Sequence, residues 1–168
     1  MEHGSEIDKC YLLAGAALAL KVFNSMHLLN DVDLDTEDLF TLTPEFFYES
    51  NLQVSAKDSW LARYTNFQIL MGLAIASTMS RKMILNRSQV NKKIRQMLLQ
   101  ELTAEGYEMC QLDEDEVKPL FDRQFTYMAQ LFSQSNVRQV LTKTAHTIQQ
   151  QRTLSGGEIR DLLATLEL

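Results

Sequence analysis

Apolar residues recur at spacings of three and four along most of this chain, which is the period of a helix with one buried face. The first such run predicts a helix over residues 5–29. Ser5 and Asp8 stand at the spacing of a capping box, and the middle is small and apolar: Ala14, Gly15, Ala16, Ala17 and Ala19. A long second helix is expected over 55–86. Ser55 and Asp58 repeat the cap spacing, and Trp60, Tyr64, Phe67, Met71, Ala74 and Ile75 form one stripe. Leu61, Ile69, Leu70, Leu73 and Ala76 widen that stripe nearly all round, the mark of a central helix. Its small residues Gly72, Ala74 and Ala76 match those of the first helix, so a close crossing of the two is expected.

Between these helices, residues 30–42 read as an acidic connection with one turn near 36–40. Thr43, Pro44 and Glu45 then supply a cap, a first-turn proline and an acid at the positive end of the helix dipole. That short helix carries Phe46, Phe47 and Tyr48, expected to pack on the core as an aromatic lid. Four more helices follow. One opens at Ser88, turns Val90, Ile94, Met97, Leu98 and Leu102 inward, and ends near Gly106. Asp113 and Glu116 cap the next, Ser135 opens a third, and Ser155 opens the last, to about residue 166. No alternating pattern strong enough for a strand stands out. The expected fold is all-α: a single-domain bundle of six to seven helices, the long one at 55–86 packed on the N-terminal one at 5–29.

Composition agrees, with few helix breakers: only 6 Gly and 2 Pro in 168 residues. A chain of this length buries roughly 70% of its unfolded surface and needs no metal or disulfide to hold a core. Cys10 and Cys110 sit in apolar contexts and are expected to be reduced, which fits a cytoplasmic protein. The run Cys10 to Leu20 is flanked by acids where a signal peptide needs net positive charge. It is also shorter than the roughly 20 apolar residues that cross a bilayer, so a buried helix with no membrane role is expected.

Two short motifs invite chemistry. Leu154 to Glu158, LSGGE, resembles the signature motif of ATP-binding cassette ATPases. In that family it works with a phosphate loop of the form G-x-x-x-x-G-K-[ST], which this chain lacks. Every residue of the motif is explained by a helix start, with Ser155 as cap and Glu158 closing the box. Asp31, Asp33 and Asp35 open like a calcium loop, but Thr36 stands where its glycine belongs and Leu42 where its bidentate Glu belongs. His3, His27 and His146 have no second His or Cys at ligand spacing. A Cys110–His146 pair has no nucleophile elbow around it. No catalytic residue, metal or cofactor is therefore expected.

Charge changes the picture most. The net charge is −6, yet no Asp or Glu occurs from Ser59 to Gln100. That window carries Arg63, Arg81, Lys82, Arg87, Lys92, Lys93 and Arg95, six of them around the joint between the long helix and the next. Two alternatives stand beside binding: a solvated face, or pairing with the chain's own acids at 31–38 or 113–116. As a binding surface, Arg81, Lys82, Arg87, Lys92, Lys93, Arg95 and Gln96 suit an acidic protein partner, or nucleic acid read by cations and amides in a loose helix-turn-helix. The leading expectation is a non-catalytic interaction or regulatory protein that binds a protein partner, or itself. A nucleic-acid module is the second, and a small-molecule binder under the lid at 46–48 the third.

Overall fold

A computed structural model describes residues 4–43, 46 and 55–168. Most of the chain is helical, and the long helix is central, as the apolar pattern predicts. Helix α1 (Glu6–Val22) starts at Ser5, whose hydroxyl accepts from the Asp8 N–H while the Asp8 carboxylate accepts from the Ser5 N–H. It is buried on nearly every side from Cys10 to Leu20. Helix α2 (Ala56–Met79) begins at Ser55 and runs into a π-helical turn, Ser80–Leu85. Among the described residues the heaviest helix–helix packing joins α1 to α2. Gly15 makes this possible, since a Cβ there would stand 2.5 Å from the Ala76 carbonyl oxygen and 2.6 Å from Ser80 Cβ.

Helix α1 does not reach residue 29. Asn24 adopts a left-handed conformation (φ 54°), the Ser25 N–H reaches back to the Leu20 carbonyl, and the helix is closed. The apolar pattern continues because Met26, Leu28 and Leu29 are also buried, but by a 3₁₀ turn and then a strand. That strand is the main departure from the all-helical expectation. Residues 30–42 are no mere connection: β1 (Leu29–Asp33) pairs antiparallel with β2 (Phe40–Leu42) on one side and with β3 (Thr153–Ser155) on the other. The sheet seats Val32 opposite Leu154, both buried. Asp31 and Asp33 lie within β1, and the Asp33 carboxylate accepts from the Asp35 N–H, so the D-x-D-x-D run is a strand leading into a turn.

Helix α3 (Lys92–Cys110) starts later and ends later than its pattern suggests. Asn91 caps it, while the Ser88 N–H and hydroxyl both donate to the Lys82 carbonyl and close the preceding turn. Gly106 sits inside α3 against Phe67 and Val117, and the left-handed Gln111 ends the helix. Met97 was expected inward but is half exposed, as is Leu61. Trp60 is also exposed, stacked on Tyr64 with its indole N–H donating to the Cys110 carbonyl. Helices α4 (Glu114–Phe132), α5 (Ser135–Gln151) and α6 (Gly156–Leu162) follow. Leu154 is in the core, the Ser155 hydroxyl accepts from the Glu158 N–H, and the Glu158 carboxylate accepts from the Ser155 N–H, so LSGGE is a strand end and a helix cap. Of the lid, Phe46 is buried with its carbonyl accepting from the Asn66 amide; Phe47 and Tyr48 lie outside the described residues.

Candidate interaction surface

Six of the basic residues lie on the π-helical turn, the joint at 86–91 and the first turn of α3, and they divide into two groups. Arg81 lies 3.6 Å from Asp8, at the start of α1. Arg95 donates to Asp122 on α4 at 2.8 Å, and its guanidinium lies 4.5 Å from the centre of the Phe125 ring. Lys118 shares the same carboxylate at 2.6 Å. Lys118 and then Arg95 hold the Asp122 carboxyl below its ordinary value, as the Ser5 hydroxyl, with Arg81 behind it, does for Asp8. These two arginines are therefore occupied in holding helices together. Their partners, Asp8 and Asp122, lie in neither of the acidic runs considered for this role. Asp35, in the first of those runs, is clasped by Arg152 instead, with N–O distances of 2.6 to 3.0 Å.

Lys82, Arg87, Lys92 and Lys93 form the second group. Among the described residues none of them makes an ion pair. Lys92, Lys93 and Gln96 lie exposed on the first turns of α3, and Lys82 is half-buried. Arg87 is exposed and left-handed (φ 50°). It holds the first position beyond the helical turn, where glycine is the usual residue. The Asn86 N–H to the Arg81 carbonyl and the Ser88 N–H to the Lys82 carbonyl fix this turn, so the guanidinium projects from a constrained backbone.

The structure adds cations that the charge profile missed. A groove of about 700 Å³ runs between residues 83–89 and helix α5. Arg87 faces it from one side, and Arg138, Lys143 and His146 from the other. Arg138, Thr142 and His146 stand four residues apart on one stripe of α5, and no Asp or Glu lines the groove. A signal was present in the sequence: no acid occurs from Arg123 to Gly157. The net charge of the chain does not show that second acid-free stretch. Folding brings part of each stretch, residues 83–89 and 138–146, to one groove, which Lys92 and Lys93 do not line.

Other candidate chemistry is not assembled. Cys110 is buried at the end of α3, and burial raises its thiol; His146 lies exposed on α5 with its ring edge-on to Tyr11. Burial likewise pushes the Cys10 thiol up to about 11. Among the described residues no group of three or more His, Cys, Asp or Glu could hold a metal ion, and no helix is long and apolar enough to cross a membrane. Comparison with protein-family models and with curated proteins gives no match to this chain.

Proposed function

We propose that this is a non-catalytic interaction protein that engages an acidic segment of a partner protein through its basic face. The observation that carries the reading is the convergence of two acid-free stretches, Ser59–Gln100 and Arg123–Gly157, in a chain of net charge −6. A cation already matched by an internal carboxylate has little left to offer a partner. Lys82, Arg87, Lys92 and Lys93 lack such a match among the described residues, and complementary charge steers association and fixes orientation. Burial raises both thiols, which argues against a cysteine nucleophile, since a thiolate nucleophile needs a lowered pKa.

Binding of a fluorescent poly-glutamate peptide at low and moderate salt tests this. Saturable binding that weakens with salt and is lost in Lys92→Glu/Lys93→Glu is expected. No retention of the peptide at low salt would overturn the proposal. The partner can also be a second copy, whose Glu37 and Asp38 make no ion pair among the described residues; concentration-dependent sedimentation reports that case. Nucleic acid is the second reading, favoured by the exposed amides of Gln89, Gln96 and Gln139 among the cations. A duplex oligonucleotide that outcompetes poly-glutamate, with a steeper salt slope, would replace the first reading by this one.

A further inference from the structure

The groove between residues 83–89 and α5 has a chemistry of its own, apart from the cations at the start of α3. Its floor is apolar, made by the buried Met83 and the half-buried Ile84. Its lining also carries the exposed Arg87, Arg138, Lys143 and His146, with the hydroxyls of Ser88 and Thr142. At about 700 Å³ it falls within the range of small-molecule sites, roughly 300–1,000 Å³. We propose that this groove is a binding site for a phosphate monoester with a small apolar body.

Three features lead to that ligand class. Three side chains of formal positive charge and no carboxylate line the groove, so a ligand with two negative charges meets attraction and no lining acid; Glu158 and Asp161 lie beyond Lys143, in the neighbouring groove. Guanidinium groups donate as a flat fork that fits two phosphate oxygens at once, and Lys143 can serve the third as a point charge. The apolar part of the lining, Met83 and Ile84, would take the ester's organic body while its phosphate meets the cations. Arg138 is already oriented, since its Nε donates to the Phe132 carbonyl at 2.8 Å and its two terminal nitrogens remain for a ligand.

Arg87 carries an independent argument. Its left-handed position favours glycine, and the Cβ of any other residue is disfavoured there. The long cationic side chain at this position delivers a guanidinium to the groove that glycine would not. Arg87→Gly removes the charge while easing the backbone, so the variant keeps its fold and tests the side chain alone.

The site does not depend on the acidic partner proposed above, and its test is separate. Phenyl phosphate, inorganic phosphate and phenol are titrated into the full chain by calorimetry, with a melting scan alongside. Phenyl phosphate is expected to bind saturably and raise the melting temperature, at least tenfold more tightly than inorganic phosphate, while phenol does neither. Arg87→Gly and Lys143→Gln should each lose tenfold or more, Arg87→Gly melting no lower than the parent. Lys92→Gln/Lys93→Gln, which lie outside the groove, should bind phenyl phosphate like the parent and lose only poly-glutamate. The proposal is overturned if phenyl phosphate fails to saturate. It is also overturned by inorganic phosphate binding equally well, or by Arg87→Gly binding undiminished.

Discussion

Replacing Gly15 by alanine sets two known effects against each other at one atom. Alanine in a helix interior is favoured over glycine by about 1 kcal/mol, so propensity alone predicts a more stable protein. The new Cβ, however, would stand 2.5 Å from the Ala76 carbonyl oxygen and 2.6 Å from Ser80 Cβ. Ordinary contacts between such atoms are close to an ångström longer, and the carbonyl belongs to the backbone of α2, so no rotamer change relieves the clash. Overpacking of a well-filled core costs typically about 1–3 kcal/mol, and a backbone obstacle places this case at the upper end. The difference is a net loss of about 2 kcal/mol, or roughly 4–8 °C in melting temperature for a chain of this length. Gly157→Ala is the control. Its Cβ would meet only Ser155 Oγ, at 3.8 Å, so propensity acts unopposed and stabilises by about 0.5 kcal/mol. Urea unfolding followed by far-UV circular dichroism measures both. Opposite signs are expected, with unchanged denaturant slopes. A Gly15→Ala protein as stable as the parent would refute the close α1–α2 crossing.

Ser80 sits beside Gly15, fully buried, and its hydroxyl finds no partner among the described residues. Ser80→Ala should therefore stabilise by about 1 kcal/mol in the same unfolding assay, whereas a loss would show that the hydroxyl is bonded. Asp122 titrates below its ordinary value of 3.8 when folded, because Lys118 and then Arg95 favour the carboxylate. Its contribution is thus present above the unfolded pKa and is lost as pH falls through the folded one. The site is more than a third exposed, so Asp122→Asn should cost only ~0–1 kcal/mol at neutral pH and nothing well below pH 3.8; an equal difference at both pH values would contradict the ion pairs. Both thiols are buried, with Cys10 at about 11, so a thiol-specific reagent should label the folded protein slowly at neutral pH and quickly in denaturant. Rapid labelling of the native state would place a cysteine at the surface.

The helices were legible because their starts are written in side chains. Ser5 with Asp8, Asp113 with Glu116, and Ser155 with Glu158 each close a capping box, and Ser55 accepts from the Asp58 N–H. The α1–α2 crossing was legible from small residues, since only they allow that approach. The sheet was not. Its strands are three to five residues long, β1 is rich in Asp and Asn, and its partner β3 comes from the far end of the chain. Strand pairing of that kind is set by tertiary contact more than by local preference. The end of α1 was lost for a related reason, because buried Met26, Leu28 and Leu29 extend an apolar pattern that Asn24 has already interrupted in the backbone. At the site, Arg87, Lys92 and Lys93 could be named from charge alone. Arg138, Lys143 and His146 could not, because only folding sets α5 beside the joint.

The basic segment also shows why a charge profile cannot separate structural cations from available ones. Along the chain, Arg81 and Lys82 look alike, as do Lys93 and Arg95. In the fold, each pair divides. Arg81 and Arg95 meet Asp8 and Asp122 across helix boundaries, and Arg95 also covers the face of Phe125. Arg152 shows the same habit elsewhere, with its guanidinium on Asp35 and Glu6 tying the turn after β1 to the start of α1. Where the fold needs a cation, it supplies a carboxylate. Lys82, Arg87, Lys92 and Lys93 have no such carboxylate among the described residues, although the chain holds 22 acidic residues against 16 basic ones. A missing ion pair alone does not mark a surface, since Lys57, Arg63, Arg123 and Arg160 make none among the described residues either; what sets Arg87 apart is that it lines a groove with Arg138, Lys143 and His146 and with no carboxylate. On the reading proposed above, that groove is where this negatively charged protein meets an anion.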